Sequence, residues 1–166
     1  VVATTDQRSA LWQLGEKEEF TLLAIPKNVG GRYSVFSAVG LFPLCFLDID
    51  IKKLREGAQS GFAMSTNNQQ EINYAAISAA IIAAHYPRGA IIHDTFLFSQ
   101  ALQNFGAWYR QLSAESLGKA HDRNNELVNI GLLPTISMGS TDLHSVGQLY
   151  FAGPRNRFTT FVSVAN

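Results

Sequence analysis

Residues 28–43, NVGGRYSVFSAVGLFP, constrain this chain more than any other stretch. A β-like run at residues 20–26 leads into two glycines and an arginine, and a helix-like apolar run begins near Ser34. The order is strand, glycine-rich turn, helix, which is the building unit of an α/β protein. Gly30 and Gly31 have access to backbone angles closed to other residues and leave room for a ligand beside the main chain. The free N–H groups of the helix that follows favour anions. Arg32 comes next, and its guanidinium reads either as half of a structural ion pair or as a contact for an anionic substrate.

A chain of 166 residues is long enough to bury a single core without disulfides or metals. Lys plus Arg and Asp plus Glu both number 13, so the formal net charge is zero. That excludes a global basic field for nucleic acid or a membrane surface, and any pull on an anionic substrate must be local. Cys45 is the only cysteine. An internal disulfide and a cysteine-based metal cluster are thereby excluded, a reducing compartment fits, and Cys45 reads as a small buried hydrophobe. No run is long and apolar enough to span a bilayer and no signal peptide is visible, so the expectation is a cytoplasmic protein. The strand-like opening VVATT, with no methionine before it, is read as a piece of a longer chain.

Residues 1–5 read as a strand and Asp6 as the N-cap of a short helix closed by Gly15 and the charged EKEE. The run at 33–47 reads as a buried helix interrupted at Pro43, and 51–58, IKKLREGA, as a short helix followed by a Gly/Ser/Asn-rich connection. In that connection Ser60, Ser65 and Thr66 read as capping or turn residues and are assigned no chemistry. Residues 71–86 place alanine pairs four apart, which predicts a buried packing helix ending in a satisfied His85. A third strand is expected at 89–94. A helix over 98–112 carries an apolar stripe of Phe98, Leu102, Phe105, Trp108, Tyr109 and Leu112 that reads as core. HDRNNE is a polar loop, 133–138 a strand, and 158–164 the last strand, after a short helix stopped at Gly153-Pro154. This alternation predicts one domain over 1–166, a three-layer α/β/α sandwich around a mainly parallel sheet of about five strands.

Glu115, Arg32 and His144 are a carboxylate, a guanidinium and an imidazole, types that can serve as a base, as a cation beside developing negative charge, and as an acid/base group. By residue type alone, Glu115 is equally a solvated carboxylate at a helix end, and His144 equally a capping or packing histidine.

The segment VGGRYSVFSAVG closely resembles a signature of the phosphoglucose isomerase family, and QLSAESLGK and TDLHS resemble later family segments in the same order. The resemblance runs from VVATTD to FTTFVSV and is to the second of two sugar-isomerase domains, Rossmann-like in architecture, of the shorter bacterial type. It implies that Glu115 shuttles the proton, that Gln111 contacts the sugar, and that Arg32 with Gly31 beside it stabilises the enediolate. It further implies that His144 assists ring opening in the neighbouring subunit of a homodimer. Ala114 and Leu143 depart from the family pattern, Leu143 standing where glutamine is usual. No cofactor or metal is implied. The implied partners are a sugar-phosphate substrate, an N-terminal sugar-isomerase domain that holds the phosphate pocket, and a C-terminal segment. A fragment so placed holds a partial active site and is expected to be inactive alone. The rival reading is a non-catalytic sugar-phosphate-binding domain, which should carry a Ser/Thr-rich phosphate loop not found here. A nucleotide-binding Rossmann domain ranks last because VGGRYS does not match GxGxxG.

Overall fold

The computed structural model describes residues 1–66 and 73–164. These divide into two compact units, Val1–Ala75 and Ala76–Asn166.

In the first unit, β1 (Val2–Thr5) and β2 (Thr21–Ala24) pair in parallel, with Val2 opposite Thr21 and Thr5 opposite Ala24. The helix between them, α1 (Ala10–Lys17), starts at Ser9 and not at Asp6, because the Ser9 hydroxyl accepts from the Trp12 N–H at 3.0 Å. Gly15 is interior to α1 and does not close it. A Cβ there would lie 2.5 Å from Leu22 Cδ2, so the glycine lets the helix rest directly on β2. A six-residue 3-10 helix (Gly31–Phe36) and α2 (Ala38–Phe46) follow. The break falls at Ser37, whose hydroxyl donates to the Ser34 carbonyl at 2.6 Å and accepts from the Val39 N–H at 3.2 Å. One side chain thus ends one turn and caps the next, while Pro43 sits inside α2.

Helix α3 (Ile51–Thr66) is twice the expected length. Ile51, Leu54, Ala58 and Gly61 are its less exposed positions, at steps of three, four and three residues, so one face stays in register through Gly57, Ser60 and Gly61. Cys45 is exposed, against expectation. The α2 sequence is apolar all round, and none of its residues is buried by the unit that contains it.

The second unit holds three parallel strands in the order β6–β3–β7: β3 (Ile92–Leu97), β6 (Leu133–Met138) and β7 (Arg157–Val162). The middle strand runs three residues beyond the expected one. Residues His93 to Leu97 are all buried, including three polar ones, because each polar side chain finds a partner or is covered from both neighbouring strands. Phe96 and Leu97 are fully buried and contribute about 1.5–3 kcal/mol each. Parallel strands joined through helices bear out the α/β expectation, the strands being shared two and three between the units.

Helix α4 (Tyr74–His85) is largely exposed, correcting the expected buried helix, with Tyr74 at 67% and Ile81 at 47%. Its apolar residues surround the axis. Ala79, Ile82 and Ala83 line an apolar groove with Leu117, Ile130 and Leu132. His85 ends the helix and stacks on Phe158, with ring centroids 5.9 Å apart.

Helix α5 (Gln103–Leu117) meets the sheet through Gly106 and Ser113, one heptad apart, and not through the whole apolar stripe. Phe105 and Trp108 stay 46% and 39% exposed. A Cβ on Gly106 would meet Leu97 Cδ1 at 2.6 Å and Ile136 Cγ2 at 3.1 Å, so the small residue sets the helix–sheet distance. The polar loop after α5 is a hairpin, β4 (Lys119–His121) against β5 (Leu127–Ile130), which pair antiparallel. The Asp122 carboxylate closes it by accepting from the N–H groups of Asn124 and Glu126 at 2.8 and 2.9 Å. After β6 come two short helices, α6 (Thr141–Ser145) and α7 (Gly147–Ala152). Among the described residues no helix is long and apolar enough to cross a membrane.

Candidate active site

Arg32 stands in the first turn of the 3-10 helix that begins after β2. Ser34, buried in that turn, donates to the Gly31 carbonyl at 2.7 Å and fixes the turn around the arginine. The guanidinium lies over the Tyr33 ring, 5.1 Å from its centroid. Neither Gly30 nor Gly31 takes a positive φ, so backbone strain does not explain them. The space above Gly31 is open, with nothing within 4 Å of where a Cβ would stand. A small molecule has room there to approach the main chain beside the cation.

Gln111 and Glu115 lie one turn apart on α5, and the Gln111 amide donates to Glu115 Oε1 at 2.9 Å. The structure thus joins two of the expected residues directly. The end of their helix is held by Lys119, whose ammonium donates to the carbonyls of Ser116 at 2.7 Å and Gly118 at 3.3 Å. That matches the charge a helix C-terminus favours.

His144 is exposed in the last turn of α6, just beyond β6. The Asp142 carboxylate accepts from the Met138 N–H at 2.6 Å and from the Ser145 hydroxyl at 2.7 Å. These bonds, the backbone one foremost, hold the Asp142 carboxyl below the usual carboxylate range. Leu143 borders a cavity of about 400 Å³ also lined by Tyr150, Arg157 and Phe158.

Glu115 and His144 occupy opposite ends of the same sheet. Helix α5 leaves the C-terminal end of β3 and descends beside the strands, so that Gly118 comes to lie against Gly131, just before β6 begins. The approach is close, since a Cβ on Gly131 would stand 3.1 Å from the Gly118 Cα. His144 follows the other end of β6, a strand length away, on the order of 20 Å. Arg32 belongs to the first unit and Glu115 and His144 to the second.

A polar network missed by sequence reasoning lies under α6 and α7. Asp94, 1% exposed on the middle strand, accepts from the hydroxyls of Thr135 at 2.7 Å, Ser137 at 3.1 Å and Tyr150 at 2.9 Å. Burial raises the Tyr150 pKa above its ordinary value, opposed by its hydrogen bond with Ser137. Its sequence signal was the alternation Thr135, Ser137 on β6, two hydroxyls on one face of a strand. Among the described residues no group of three or more His, Cys, Asp or Glu is placed to hold a metal ion.

Parallel βα units with a glycine-bordered arginine after one strand and a Gln–Glu pair on a covering helix define an α/β protein of the sugar-isomerase fold. The chain belongs to the phosphoglucose isomerase family, whose family model matches residues 1–165. A glucose-6-phosphate isomerase of Campylobacter jejuni subsp. jejuni serotype O:2 is 40% identical, aligned over 98% of this chain and 38% of its own length. Its counterpart from Staphylococcus saprophyticus is 36% identical over 100% of this chain and 36% of its own. Among solved structures, a hypothetical protein from Thermus thermophilus superposes with a TM-score of 0.87 at 33% identity, covering 96% of this chain and 37% of that one. A glucose-6-phosphate isomerase from Chlamydia trachomatis shares the fold, with a TM-score of 0.81 at 24% identity over 96% of this chain and 32% of that one. The chain therefore spans about a third of the length of the curated relatives it matches.

Proposed function

We propose that this chain is a sugar-isomerase part of a cytoplasmic glucose-6-phosphate isomerase, which interconverts glucose 6-phosphate and fructose 6-phosphate. The observation that carries the reading is the Gln111–Glu115 pair, a carboxylate oriented by a neutral donor one turn away, within a chain that matches the family over nearly all its length. In the reaction, the sugar ring opens with the help of His144. The Glu115 carboxylate then takes the proton from C2 of the aldose, the C–H electron pair becomes the C1–C2 double bond as the carbonyl pair moves to O1, and a cis-enediolate forms. Arg32, with Gly31 beside it, stabilises that charge. The proton of the C2 hydroxyl passes to O1, Glu115 returns its proton to C1 and the ketose results. A positioned base contributes about two to four powers of ten in rate, and an aimed positive group about 3–4 kcal/mol.

The opposite placement of Glu115 and His144 supports a homodimer in which the histidine serves the neighbouring copy. The residues that bind the phosphate, and those that complete the site, belong on this reading to segments outside this sequence. Without that handle to orient the substrate, the 166-residue piece alone should turn over little or nothing. A coupled assay of fructose 6-phosphate conversion on the complete protein, beside Glu115→Gln, tests the proposal. Turnover lost by several powers of ten in the variant supports it. Turnover that survives means another group moves the proton, and saturating activity in the purified piece overturns the dependence on outside segments.

A further inference from the structure

Helix α6, which carries His144, has five residues and cannot hold itself in place through its own hydrogen bonds. Its position must come from outside it. Two anchors are present. The Tyr150 hydroxyl on α7 reaches the buried Asp94 carboxylate at 2.9 Å and Ser137 at 2.7 Å, tying the following helix to the sheet. Asp142 lies within α6 and acts on it directly: Oδ2 accepts from the N–H of Met138, the last residue of β6, and Oδ1 from the Ser145 hydroxyl next to His144. One carboxylate therefore links the sheet end to both sides of the histidine.

We propose that Asp142 is a positioning residue for His144, holding the imidazole at a fixed height beyond the end of β6, which rests on the reading that His144 assists ring opening. Two acceptors are needed at once. A carboxylate offers both; an asparagine keeps an acceptor for the Met138 N–H and holds Ser145 only if that hydroxyl turns to accept from its amide, whereas an alanine loses both contacts. Displacing a reacting group by about 1 Å costs on the order of a hundredfold in rate. The effect should fall on the step that His144 serves and leave the proton transfer at Glu115 as it is.

The test uses the complete protein with Asp142→Asn, Asp142→Ala, Ser145→Ala and His144→Ala. Exchange NMR reads the enzyme-catalysed interconversion of glucose 6-phosphate anomers, which reports ring opening. The fraction of product carrying solvent deuterium reports the later proton transfer. Asp142→Ala should slow anomer interconversion about ten- to a hundredfold and Asp142→Asn by less, with KM within about threefold and the deuterium fraction unchanged. Ser145→Ala, which breaks one of the two contacts, should lose less. Parental anomer interconversion in folded Asp142→Asn and Asp142→Ala, beside a slow His144→Ala, would overturn the positioning role alone. Parental interconversion in His144→Ala would overturn the reading beneath it. A loss in the Asp142 variants that tracks a falling melting temperature and a changed deuterium fraction would mean general disruption and also sink the proposal.

Discussion

The Gln111 amide donates a 2.9 Å hydrogen bond to the Glu115 carboxylate from one turn earlier on α5. The Gln111 amide is a neutral donor and helps to orient the carboxylate. Glu115→Gln should lower the isomerisation rate of the complete protein by about two to four powers of ten. On the proposed reading, Gln111→Ala should cost less in kcat and show more in KM, since it would remove a sugar contact and only loosen the base. Both positions are exposed, so melting temperatures should stay close to the parent's. Steady-state kinetics beside thermal melts would separate these effects.

Arg32 projects beside the open space over Gly31 with Tyr33 beneath its guanidinium. Arg32→Lys keeps the charge and loses the planar fork, so it should retain part of the rate. Arg32→Met should lose about 3–4 kcal/mol of transition-state stabilisation. Equal losses in the two variants, measured as kcat, would show that geometry and not charge is what Arg32 supplies.

Gly106 sets the spacing between α5 and the sheet. Gly106→Val would push a branched side chain against Leu97 and Ile136, both held in the sheet, and should destabilise the fold by about 1–3 kcal/mol. Urea titration of the parent and variant would read the difference directly. An unchanged midpoint would mean that the helix can lift without loss.

His93 is 3% exposed, sits 4.4 Å from the Phe158 ring by centroid, and has its Nε2 3.0 Å from the Thr160 hydroxyl. Burial holds its pKa below the ordinary 6.5, opposed by the charge of Asp94. On acidification the unfolded chain takes up this proton first. The contribution of His93 is therefore complete above pH 6.5 and falls as the pH drops from there through the lower folded-state value. His93→Gln should flatten that part of the stability profile relative to the parent, as measured by unfolding midpoints from about pH 7 down to pH 5.

Strand β6 was legible to the residue because a Gly-bounded run of alternating character admits one reading. The glycine–arginine turn was legible in order, yet the helix after it divides at Ser37 through a side-chain cap that composition does not reveal. The β4–β5 hairpin was hidden because its strands are short and polar and its turn depends on what Asp122 accepts. His93, Asp94 and Thr95 hid the end of β3, since polar residues enter a middle strand only where cross-strand partners such as Thr160 and Thr135 await them. The chemical types of the candidate site could be read from single positions. Their distribution to the two ends of a sheet follows from the direction in which α5 runs, a property of topology and not of any residue.

That distribution bears on inheritance. If two copies exchange ends, a copy lacking Glu115 and a copy lacking His144 are each silent with their own kind. Together they assemble one intact centre and one doubly broken one. Random pairing of equal amounts puts half of the pairs in the mixed state, so about a quarter of the parental centres return. Two defective alleles would then sustain a cell that neither could sustain alone.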